Sequence, residues 1–195
     1  MDEAARLAAI FDRSVALKRR VLADQADVML RMVAVIAGAI AAGGKIFFCG
    51  NGGSAADAQH LATELLVRLR GGVERSSWPA IALTLDPAAL TAGGNDYGFD
   101  MVFARPLSGL ARAGDVLVGI TTSGRSANVL RALEVAREMG VARLGLLGGH
   151  GVPAAALCDE AIIVPSSETA RVQESHITIG HALLELVEDR LTGRA

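Results

Sequence analysis

The feature that most constrains this chain is a rhythm that starts near residue 45. Short apolar runs at residues 45–50, 80–83, 115–120, 142–147 and 161–164 alternate with segments of helical spacing. The runs show no strict polar alternation, which marks strands covered on both faces. Helices are expected over residues 54–70, around 101–112, over 126–139 and from about 171 to 191. Strands that alternate with helices form an open parallel sheet in a three-layer α/β domain, with right-handed crossovers. The residues before this rhythm read as two helices. Leu7, Ile10, Phe11 and Leu17 belong to the first; Asp24 is a candidate cap for a second that carries Met29, Met32, Val33, Ile36 and Ile40 and stops at Gly43-Gly44.

Composition removes several function classes. Hydrophobic residues make up 51% of the 195, but aromatics only 4%, and there are 22 glycines, so the apolar content is small and aliphatic. A net charge of -2 argues against a nucleic-acid partner and, with this hydrophobicity, against disorder. The charge-free stretches, such as residues 32–44 and 144–158, are too short to span a membrane. Met1-Asp2-Glu3 lacks the basic start of a signal peptide, and two cysteines, Cys49 and Cys158, make no disulfide scaffold. The expected setting is a reducing cytoplasm. Excess apolar surface suggests burial between subunits.

In open parallel sheets, ligands bind beyond the carboxyl ends of the strands. The first run is followed by Gly50-Asn51-Gly52-Gly53-Ser54-Ala55-Ala56-Asp57, where glycine amides and a helix N-terminus suit an anion. Ser54 can cap that helix, with Asp57 as a box-like partner. Gly50-x-Gly52-x-x-Ala55 also fits a loose dinucleotide fingerprint, yet no acid follows at the required distance. The third run is followed by Thr121-Thr122-Ser123-Gly124-Arg125-Ser126, hydroxyls that open onto a helix and can cradle a phosphate. Gly93-Gly94-Asn95-Asp96-Tyr97-Gly98 reads as a third Gly-rich loop, or as a plain turn.

His60 and Glu64 stand one helical turn apart on one face, which suits a divalent metal, an acid–base pair or a surface pair without a role. His181 lies among apolar neighbours and has a core reading as well as a functional one. Gln173 and His181 are about 12 Å apart on a regular helix, long for two ligands of one ion unless Gln173 sits at or before the helix start. His150 reads as a loop residue, and Cys49 as a buried, inert thiol.

These motifs resemble one family. Residues 49–60 with Glu64, residues 92–98, residues 121–128, and Val172-Gln173-Glu174-Ser175-His176 with His181 are similar, in order, to the signature segments of bacterial phosphoheptose isomerases of the sugar-isomerase (SIS) class. The resemblance implies a five-stranded parallel sheet in a single SIS domain over residues 1–195, with residues 1–43 used in packing a homotetramer and residues 44–195 forming the α/β core. It implies conversion of sedoheptulose 7-phosphate to D-glycero-D-manno-heptose 7-phosphate, for nucleotide-activated heptose. It implies zinc, one per subunit, on His60, Glu64, Gln173 and His181. Substrate contacts carried over are Asn51, Gly52, Gly53, Glu64, Asn95, Asp96, Thr121, Thr122, Ser123, Ser126 and Gln173. Glu64 is the expected base and His181 the expected acid in an enediol mechanism. Two departures stand out: Ala170 replaces an acid found in some members, and residues 70–77 replace a short Pro-containing connection. A non-catalytic relative, a regulator associated with a replication initiator, lacks the carboxylate at position 64 and the last-helix histidine; a small nicotinamide-binding oxidoreductase is the third reading.

Overall fold

A computed structural model describes residues 2–149 and 151–194; His150, read above as a loop residue, lies outside the described residues. Five strands form one sheet: β1 (Ile46–Gly50), β2 (Ala80–Ala82), β3 (Val116–Thr121), β4 (Ala142–Gly148) and β5 (Glu160–Val164). All pairings are parallel and the order is β2-β1-β3-β4-β5. The expected runs match these strands within a residue or two at each end. The helices are α1 (Glu3–Ala41), α2 (Gly53–Leu66), α3 (Pro87–Tyr97), α4 (Ala104–Leu110), α5 (Ala127–Glu138) and α6 (Thr169–Thr192).

Alternate side chains of each strand enter opposite cores, as a two-residue period requires. Ile46, Phe48, Val116, Val118, Ile120, Leu144 and Leu146 meet α1, α2 and α6 on one face. Phe47, Cys49, Leu117 and Leu147 meet α4 and α5 on the other. This is the three-layer arrangement expected from the sequence. Burial of the Cys49 thiol pushes its pKa up to about 12, so it is inert as read.

Three local expectations change. The two N-terminal helices are one 39-residue helix, bent where Gln25 leaves helical geometry (φ -136, ψ 18). Nothing in the sequence there breaks a helix. The bend lets the Gln25 amide donate to the Ile163 carbonyl and accept from the Ile163 N–H, each at 2.8 Å, covering the β5 edge of the sheet. Asp24 does not cap a new helix; it faces Arg20 at 3.6 Å. Ser54 does not cap α2 either: Gly52 (φ +56) holds that position, and Ser54 is buried inside the first turn. Finally, residues 93–97 are helix rather than loop. Asp86 caps α3 by accepting from the Ala88 and Ala89 N–H groups, with Pro87 in the first turn. Gly93 and Gly94 pack near Val102.

At the N-terminal end of the sheet, Asp115 is buried and joins β1 to β3. It accepts from the Lys45 and Arg112 N–H groups and pairs with the Lys45 ammonium at 2.9 Å. Burial alone would raise its carboxyl; the Lys45 contacts and the Arg112 amide outweigh that and hold it below the usual range. Its contribution is therefore complete at neutral pH and is lost as pH falls through the lowered value. Asp115→Ala strands the ammonium and two amides and lowers stability by about 3 kcal/mol at pH 7; urea unfolding at pH 7 and at successively lower pH measures both the loss and its disappearance in acid.

Candidate active site

The connection from β1 runs to β2 on one side, and β3 lies on the other side of β1. That switch point is where an open α/β sheet binds ligands. Two loops meet there. The β1 loop carries Asn51, Gly52 and Gly53, and the β3 loop carries Thr121, Thr122, Ser123 and Ser126. A reciprocal amide pair bridges them: Asn51 and buried Asn128 donate to one another at 2.8 Å in both directions. Asn128 is the residue that sequence reasoning left without a role, although it lies inside a quoted motif.

The hydroxyls of the β3 loop form a connected group. Thr121 Oγ1 lies 2.9 Å from Ser126 Oγ and 3.4 Å from Ser123 Oγ, and the Arg125 N–H donates to Ser123. Ser126 stands at the N-cap of α5, but its hydroxyl turns to Thr121 instead of the helix. Gly124 makes the turn at φ +67, and a Cβ there would meet the Gly151 backbone at 2.7 Å. The loop thus presents hydroxyls and a helix N-terminus, a setting for a phosphate.

The ionisable group lies where α2 and α6 run side by side. His60 Nε2 is 2.7 Å from His181 Nε2 and 3.2 Å from Glu64 Oε1. The three ligand atoms lie within 4.8 Å of one another. His181 is therefore half-buried against His60 rather than enclosed in the core. Two imidazole nitrogens and a carboxylate on one point are a donor set that zinc accepts. Close helix contact makes this possible: Gly180, beside His181, has no side chain, and a Cβ there would strike Leu61, beside His60, at 2.7 Å.

The other expected site residues fall elsewhere. Gln173 is the fifth residue of α6, inside the helix, and its amide lies over Gly53 at the head of α2, 2.5 Å from where a Cβ would stand. Along a regular helix its backbone is about 12 Å from that of His181. Asn95 and Asp96 are exposed on α3, where Asn95 donates to Asp96 at 2.7 Å. Glu64 lies eleven residues along α2 from Gly53, a backbone rise of about 16 Å.

The sheet order, the paired loops and the histidine–glutamate cluster define a SIS-type domain, and a SIS domain profile matches residues 10–148. The phosphoheptose isomerase of Pelodictyon phaeoclathratiforme is 54% identical over 179 residues, covering 91% of this chain and 85% of the relative. The solved phosphoheptose isomerase of Neisseria gonorrhoeae is 41% identical with a TM-score of 0.90 and covers 96% of this chain and 100% of its own. That of Francisella tularensis is 34% identical with a TM-score of 0.91, covering 97% and 100%. The chain belongs to the phosphoheptose isomerase family of SIS-domain proteins.

His176, the remaining motif histidine, is fully buried between α6 and the sheet. Burial lowers its imidazole to about 4, against an opposing pull from the Leu147 carbonyl. Between the ordinary value of about 6.5 and the lowered one, the unfolded chain takes up a proton that the folded chain refuses, so stability falls as pH drops. His176→Leu should remove up to about 3 kcal/mol of that acid-side loss. Urea midpoints of both proteins from pH 7 to pH 4 test this; parallel pH profiles would refute it.

Proposed function

We propose that the chain interconverts sedoheptulose 7-phosphate and D-glycero-D-manno-heptose 7-phosphate in the cytoplasm, in the synthesis of nucleotide-activated heptose. The observation that carries the reading is the meeting of Glu64 with His60 and His181. A carboxylate beside an imidazole supplies the base and the acid that aldose–ketose exchange requires, and each such group contributes about 10²–10⁴-fold. A regulator built on the same fold has no need of them, and the loose dinucleotide match has no supporting acid.

In the ketose-to-aldose direction, Glu64 takes a proton from C1, beside the C2 carbonyl, and an enediol forms. His181 removes the proton from O1 and supplies one to O2. Glu64 then returns its proton to C2, leaving an aldehyde at C1. Thr121, Thr122, Ser123 and Ser126, with the amides of Gly52 and Gly53, hold the phosphate and align the reacting carbons. Asn95 and Asp96 are proposed contacts for sugar hydroxyls, from an exposed helix that a bound substrate or neighbouring copy must approach. Zinc, when bound to His60, Glu64 and His181, supplies Lewis-acid stabilisation of charge on the sugar oxygens.

The active form is proposed to be a homotetramer with shared sites. On this reading Gln173 joins the metal set, and a neighbouring copy contributes to each site. An apolar stripe supports the assembly: Leu7, Phe11, Val15 and Leu22 of α1 are exposed. Beside it, a cleft of about 230 Å³ runs between α1 and α6, lined by Val21, Leu22, Met29 and Ile179.

Incubation with a panel of sugar phosphates in deuterated water, followed by NMR, should show interconversion and label uptake at C1 or C2 with sedoheptulose 7-phosphate. Glu64→Gln should retain substrate binding and lose turnover by about 10²-fold or more; near-normal turnover would remove Glu64 as the base. Purified protein should hold about one zinc per subunit, measured by elemental analysis, with Glu64→Gln and His181→Ala lowering it. Mixing Glu64→Gln with Ser123→Ala subunits should restore activity that neither has alone; no restoration would place each site within one chain.

A further inference from the structure

The segment between α2 and β2 is where the structure places a buried arginine. Arg75 has a side chain only 4% exposed, stacked 3.9 Å from the Trp78 ring. Its Nη2 donates to the Glu64 carbonyl at 2.6 Å, and its Nη1 to the Leu65 carbonyl at 2.9 Å. Those carbonyls belong to the last turn of α2, which has no helical partners for them. The Trp78 N–H also reaches the Leu65 carbonyl. The Arg75 Nε donates to Glu188 at 3.0 Å, and Glu188 is 1% exposed. The other Glu188 oxygen accepts from Arg70, which also holds Asp189. Glu188 stands two turns after His181 on α6, on the face toward α2.

We infer that Arg75 is a positioning residue for Glu64: its guanidinium ties the backbone of Glu64 to the helix that carries His181, and so fixes the spacing of base and acid. This rests on the isomerase reading above. One planar fork spans a carboxylate on α6 and two carbonyls on α2, a task an ammonium cannot perform at once. A displacement of the α2 end carries the Glu64 side chain with it, and misplacement by about 1 Å can cost 10²-fold in rate. A general stabiliser behaves otherwise, because its loss lowers folding stability and leaves the turnover of the folded protein unchanged.

Two variants separate the roles. Arg75→Lys keeps a cation beside Glu188 but gives up the carbonyls. Glu188→Gln keeps an acceptor for Arg75, and so keeps Arg75 on the carbonyls, but removes the charge. The measurements are thermal midpoint, kcat and KM with sedoheptulose 7-phosphate, and Zn2+ affinity by chelator competition. Arg75→Lys should lower kcat by about tenfold or more with KM nearly unchanged, and weaken Zn2+ binding by about tenfold. Glu188→Gln should lower the midpoint while kcat and Zn2+ affinity stay within about twofold of the parent. The proposal is overturned if Arg75→Lys leaves both kcat and Zn2+ affinity intact, or if losses in both variants simply follow the midpoint. Should the parent itself fail to isomerise the sugar, the function reading falls, and the Zn2+ comparison still decides the role of Arg75.

Discussion

Gly180 has no side chain, and Leu61 fills the space it leaves. That contact lets α2 and α6 lie close together along one face of the sheet, and the pairs along their seam depend on it. At the heads of the two helices Gln173 lies on Gly53. One step further along the seam, His60 meets His181. At the far end, Arg75 joins the α2 carbonyls to Glu188. A side chain at position 180 must displace Leu61, which is itself buried. Packed interiors have no slack to absorb such a change without moving a neighbour.

The sheet supplies the other half of the site. A parallel sheet places all strand ends of one kind together, and the switch in strand order opens a crevice between the β1 and β3 loops. The Asn51–Asn128 amide pair keeps those loops in fixed relation. On the proposed reading binding there relies on hydroxyls, amides and a helix start, which a chain of net charge -2 with few aromatics can offer to a small phosphate ester. The same composition is unsuited to a polyanion, which needs clustered cations.

What the sequence made legible was what short-range pattern controls. Strand positions could be read because both faces are buried and each run is continuously apolar. The His60–Glu64 pair could be read because a helix puts residues four apart on one face. Pairings across long separations could not be read from spacing, and the meeting of His60 with His181 was implied only by the family resemblance. The Gln25 bond to Ile163 bends α1 across 138 residues of chain, and no breaker near position 25 announces it. His181 met His60 from 121 residues away. Residues 93–97 differ again: Gly93-Gly94 favours a turn locally, but Asp86-Pro87 starts a helix that runs through it. Residues 70–77 looked like a variable connection because the partner of Arg75 lies on the last helix.

Glu64 carries two proposed tasks that compete for one carboxylate. A lone pair given to a metal is not free to take a proton from carbon. The geometry offers a division of labour, because Oε1 faces the His60 ring at 3.2 Å and Oε2 is the second oxygen of the same group. On the reading proposed above, Oε1 belongs to the cluster and Oε2 to the substrate. Such a split works only if the carboxylate cannot rotate to offer both oxygens to the imidazoles. Its side chain is 16% exposed, against 47% for His60, so Glu64 is the more confined of the pair. Its backbone is confined as well, by the Arg75 fork on its own carbonyl. A base held from both ends can keep one oxygen on the metal side and present the other to carbon, which is what a residue serving both tasks requires.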